Sequence, residues 1–106
     1  MAKYLVEASY SADGLKGLMK DKGSGRLAAV KKAVSSVGGK LECMYFAFGK
    51  NDAVLIVDMP DNAAAAAMAI RASASGLART RVTPLLTAGE IDQAVEKKVD
   101  YKAPGQ

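Results

Sequence analysis

Two apolar runs, Leu41 to Phe48 and Ala53 to Met59, are separated only by Gly49-Lys50-Asn51-Asp52. Glycine, asparagine and aspartate supply the backbone freedom and local hydrogen bonding of tight turns, so the pair reads as an antiparallel hairpin. This hairpin constrains the fold more than any other feature. Val54-Leu55-Ile56-Val57 has no polar interruption, the pattern of a strand covered on both faces, which places it inside a larger sheet.

The flanking segments supply the rest of that sheet and the helices for it. Tyr4 to Ser9 alternates and carries β-formers, so it reads as a first strand, followed by Ser11 as a helix N-cap. Leu15, Leu18 and Met19 begin a helical stripe, Lys20 to Gly25 interrupts it, and Leu27, Val30, Val34 and Val37 resume it as far as Gly38-Gly39. The first crossover is therefore expected to be a two-part helix. Asp61 caps an alanine-rich helix from Asn62 to about Ser75, and Gly76 stops it. Arg79 to Leu86 reads as a last strand, in which Pro84 is tolerable only at a sheet edge. Thr87-Ala-Gly-Glu90 has the form of a capping box and opens a short final helix. The order β-α-β-β-α-β plus one helix predicts an α+β, ferredoxin-like domain: an antiparallel four-stranded sheet, helices on one face and an extra C-terminal helix. Residues 1–100 are assigned to this single domain and 101–106 to a flexible tail.

Composition narrows the chemistry. Among 106 residues there is no histidine and one cysteine, so zinc sites, His-based triads and His-ligated haem are not expected, and neither a metal nor a cofactor is assigned. Cys43 has no internal disulfide partner, and no apolar run approaches the roughly 20 residues of a membrane span. With no room for a signal-peptide core at the start, a cytoplasmic location is expected. The net charge of +4 is concentrated early, residues 1–50 holding nine of fifteen basic residues and four of eleven acids. Lys16, Lys20, Lys22, Arg26, Lys31 and Lys32 follow helical spacing opposite the apolar stripe. A solvated helix face explains them more simply than a phosphate footprint. RNA recognition on the same topology needs aromatic rings in a set pattern on the third strand, and Ala53 to Met59 has none. Neither nucleic acid nor membrane is expected as a partner.

The hairpin also carries a resemblance. Tyr4, Gly14, Gly38-Gly39-Lys40, Gly49-Lys-Asn-Asp52, Ala53 to Val57 and Pro60-Asp61 resemble the GYD family of small bacterial proteins, over roughly residues 3 to 95. The eponymous Gly-x-Tyr-Asp stands here as Gly49-x-Asn51-Asp52. The tyrosine is absent, so no role of that ring is carried over. The resemblance implies a dimeric α/β barrel of the ferredoxin-like superfamily and no particular activity. Relatives of the fold include cofactor-free monooxygenases of aromatic compounds, but shared architecture is not shared chemistry.

If the hairpin closes with Phe48 opposite Asp52, then Phe46 pairs with Val54, Met44 with Ile56 and Glu42 with Asp58 on one face. Tyr45 with Leu55, Cys43 with Val57 and Leu41 with Met59 share the other. In this register Met44, Phe46, Phe48, Val54 and Ile56 lie on the uncovered side of the sheet with Arg79 and Arg81 at one edge. That surface is expected to be a homodimer interface, with an open groove as the competing reading. A cavity between helices and sheet, lined by Tyr4, Tyr45 and Cys43, is expected to hold a small apolar molecule, unless these residues simply fill the core. Tyr45 and Asp52 are the candidates for catalysis, although aspartate in a turn has a structural use of its own. Two functions follow: a homodimer or higher homo-oligomer binding a small molecule or partner without a cofactor, or a cofactor-independent enzyme, monooxygenase- or isomerase-like, acting on a small aromatic or carbonyl compound.

Overall fold

A computed structural model describes residues 1–106. Strand β1 (Ala2–Tyr10) leads into helix α1 (Ala12–Ser36), then β2 (Lys40–Phe46), β3 (Ala53–Met59), α2 (Asn62–Ala74), β4 (Ala78–Leu85) and α3 (Ala88–Glu96). Each helix start is chemically marked. The hydroxyl of Ser11 accepts Gly14 N–H, the carboxylate of Asp61 accepts Ala64 N–H, and Thr87 and Glu90 form a reciprocal capping box.

The strands are antiparallel in the order β2-β3-β1-β4, so β1 and β3 are central and Pro84 lies in an edge strand, as a residue without an N–H requires. Along β3, Ala53, Leu55, Val57 and Met59 are buried beneath the helices while Val54, Ile56 and Asp58 are half-buried on the opposite side. Tyr4, Val34, Leu55, Val57, Met59 and Ala65 form the core cluster. The expected barrel is not formed. Strands β2 and β4 are the two outer strands and do not pair with each other, and closure needs every strand to have two neighbours. The sheet of this chain is open.

Helix α1 is two helices joined at Lys22, whose backbone (φ 63°, ψ 175°) is not helical. That conformation belongs to glycine and is strained for lysine. Gly23 follows it, and a Cβ there would meet the Phe46 ring at 3.4 Å, so the joint packs against β2.

The hairpin register differs from the expected one. Observed partners are Phe46 with Ala53, Tyr45 with Val54, Met44 with Leu55 and Cys43 with Ile56, after which Leu41 pairs with Val57 and Glu42 is the extra residue of a bulge. Six residues, Ala47 to Asp52, form the connection rather than four, and Ala47 N–H donates to Asp52 C=O at 2.8 Å. A shift of one residue exchanges the two faces of a strand. Met44 and Phe46 therefore turn to the helix side, and Cys43 and Tyr45 to the open side. The bulge has a visible partner: Lys3 Nζ lies 2.6 Å from Glu42 Oε1 and 3.0 Å from Asp58 Oδ1.

Candidate functional site

Between the helices and the sheet lies a cavity of about 100 Å³. Its floor comes from alternate residues of the strands, including Val6, Ala8, Met44, Leu55 and Val82, and its roof from Val30 of α1 and Met68, Ala69 and Ala72 of α2. Alanines on α2 bring that helix close to the sheet, and the short side chains leave the space that a larger residue would fill. Arg26 and Thr80 are the two lining side chains that are not hydrophobic. The Thr80 hydroxyl already faces α2, 3.4 Å from the Ala69 carbonyl and 3.3 Å from the Ser73 hydroxyl.

The cavity opens towards a cleft of about 700 Å³ between α1 and α2. Tyr10, Arg26, Val30, Met68, Ala72 and Ala78 line both spaces and so mark their junction. Asp21 and Arg71 line the cleft alone. Tyr10 stands at the end of β1, where its backbone N–H donates to Asp52 Oδ2 at 2.8 Å. Further loop contacts are also to β1: Asp52 N–H donates to Ala8 C=O and Asn51 Nδ2 to Glu7 Oε2, both at 2.8 Å. The motif loop is thus a latch on the strand that carries Tyr10.

The residues proposed for a ligand site are dispersed. Tyr4 is 3% exposed, belongs to the core cluster and donates its hydroxyl to Asn62 Oδ1. Tyr45 is 71% exposed and half-buried Cys43 neighbours it on the open side of the sheet. None of the three lines the cavity. Tyr45 and Asp52, the candidates for catalysis, are not brought together either, since Asp52 faces the Tyr10 backbone. Of the interface candidates, Val54 and Ile56 lie on the open face, and Arg79 and Arg81 of β4 are separated from them by β1, opposite Ser9 and Glu7. Met44 lines the cavity, Phe46 packs towards α1, and Phe48 projects fully exposed from the loop.

Arg26 is the residue that sequence reasoning misplaced. Its five lysine companions on α1 are exposed, whereas Arg26 is half-buried. The helix breaks at Lys22, so the second half has its own phase, in which Arg26, Val30 and Val34 recur at intervals of four and share one face. That spacing was present in the sequence, but grouping Arg26 with lysines from both sides of the break into one charged face hid it.

The open face carries the ion pairs of Lys3. Its ammonium is held above the usual lysine value by hydrogen bonds to Glu42 first and Asp58 second, with desolvation opposing them. No three Cys, Asp or Glu side chains converge as a metal site would require, and no helix is long and apolar enough to cross a membrane.

Neither the curated proteins nor the solved structures contain a match to this chain. A family model does match, and it spans both the hairpin latch and the walls of the cavity: over residues 4–95 the chain fits the GYD domain, and it belongs to that family.

Proposed function

We propose that this protein is a homo-oligomer that takes up a small, largely apolar molecule between its helices and its sheet, without a cofactor. The cavity carries the reading: 15 of its 17 lining residues are hydrophobic, and an apolar space of this kind is stabilised by a guest that water cannot replace. Met44 and Met68 in its wall are flexible and adapt to a guest's shape.

Self-association is supported by surface area. The chain exposes 7697 Å², whereas a monomeric globular protein of 11.0 kDa exposes about 5,600 Å². Its radius of gyration is 16.8 Å, against about 13 Å for a compact chain of this length. Exposed apolar side chains include Tyr45 on the open side of the sheet and Ile91, Val95, Val99 and Tyr101 on the C-terminal arm, and α3 has no buried residue. A second copy covering these surfaces removes apolar area from water that the single chain leaves exposed.

Native mass spectrometry of freshly purified protein, followed by denaturation of the same sample, tests both halves. The expected result is a dimer or larger assembly that accepts a releasable small molecule, either co-purified or added as toluene. A monomer at micromolar concentration overturns the assembly. An assembly that carries no small molecule and takes up no toluene overturns the binding role.

A further inference from the structure

We propose that the guest is a small carboxylic acid with an apolar body about the size of one ring, and that its carboxylate pairs with Arg26 at the mouth of the cavity. This rests on the binding role proposed above and adds the chemical class of the ligand. Three observations converge on it.

First, Arg26 Nε is buried and has no hydrogen-bond partner, and Arg26 takes part in none of the ion pairs of the chain. A guanidinium always carries its charge, so burial of one of its N–H groups without an acceptor is unfavourable, and the site favours a ligand that brings one. A guanidinium turned so that Nε and one terminal nitrogen face the cavity offers two parallel donors, the geometry that matches a carboxylate.

Second, Arg26 lies where the apolar cavity meets the cleft. A ligand with its acid group there points its apolar end into the cavity and leaves its polar end towards water. A cavity of about 150 Å³ accepts benzene, and the space here is about 100 Å³ before Met44 and Met68 move. A single ring or a short branched chain is the size that fits. A long acyl chain is not.

Third, the cleft at this point carries a cationic excess. Arg26 and Arg71 face one carboxylate, Asp21, a balance of 2 − 1 = +1, and Asp21 is ion-paired with neither arginine. A monoanion is drawn in by this balance.

Benzoate and its neutral isostere benzamide separate the two levels of the argument. Binding to the full-length chain is followed by ligand-detected NMR and titration calorimetry, with Arg26→Met and Arg26→Lys as variants. The expected result is that benzoate binds at least about tenfold more tightly than benzamide, that Arg26→Met abolishes this preference, and that Arg26→Lys keeps part of it. Equal binding of the two probes to the unaltered protein overturns the carboxylate assignment and leaves the cavity role standing. A preference for benzoate that survives Arg26→Met also overturns it, since the charge is then read elsewhere. Failure of both probes to bind overturns the cavity role and the assignment together. The comparison on the unaltered chain requires no variant to fold.

Discussion

The carboxylate of Asp52 accepts the backbone N–H of Tyr10 at 2.8 Å across 42 positions of sequence. Through this bond the motif loop holds the end of β1, and with it the side chain that stands where the cavity opens. Removal of the acceptor leaves a half-buried N–H unpaired. Asp52→Ala is predicted to cost about 1.5–3 kcal/mol, the range for a hydrogen bond to a charged group. Asp52→Asn retains an oxygen acceptor and should lose less. Urea denaturation followed by circular dichroism measures both, and equal stability of Asp52→Ala and the parent would remove the latch from the account.

Gly14 packs against the chain entering β4. A Cβ at this position would lie 2.0 Å from the Leu77 carbonyl oxygen, and that oxygen already accepts Ser11 N–H at 2.9 Å. Backbone cannot swing aside as a side-chain tip can. Gly14→Ala, which on an open helix would stabilise, is predicted here to destabilise by about 1–3 kcal/mol through overpacking. A rise in the midpoint of thermal unfolding would contradict the close approach of α1 to this loop.

Lys22 has the opposite expectation. Its φ of 63° with ψ of 175° is a glycine conformation, and a non-glycine residue there carries strain of about 1–3 kcal/mol. Lys22→Gly relieves the strain and increases the entropy of the unfolded chain, so a net gain of about 1 kcal/mol is predicted. For a domain of this size that is a rise of about 4–8 °C in Tm. Differential scanning calorimetry decides it, and a lowered Tm would mean that the joint in α1 is relaxed with lysine in place.

The ion pairs of Lys3 give a pH signature. Its folded pKa lies above the unfolded value of 10.5, chiefly through Glu42. A group raised on folding contributes stability that is fully present below its unfolded pKa and is lost as pH rises through the folded one. Lys3→Met should therefore be less stable than the parent at neutral pH, and the difference should shrink as pH rises beyond 10.5. The pair is exposed and the effect modest, so it should also weaken in high salt. Denaturation midpoints of the two proteins over that pH range provide the check, and a constant difference would show that Lys3 acts by packing alone.

Much of the fold was readable because its signals are local. Caps at Ser11, Asp61 and Thr87 need only the next few residues to act, and Pro84 marks an edge by the N–H it lacks. The kinked first helix and the central third strand were likewise visible as an interruption and as an unbroken apolar run. The implied barrel failed because closure depends on the pairing of distant edges, here β2 with β4, which no stretch of sequence encodes.

The candidate site was less legible, for the same reason. Tyr45, Cys43 and Met44 were assigned to faces by a register that assumed a four-residue turn, and the six-residue connection from Ala47 to Asp52 shifted that register by one and reversed them. Arg26 was placed with the solvated lysines by a helical phase that the break at Lys22 resets. By itself the sequence determined which segments form helices and strands and where they begin, since those choices rest on caps, turns and periodicity within a few residues. The tertiary structure alone decided which side chains face the cavity, because strand register and the phase between two half-helices are set by contacts between residues far apart in the chain.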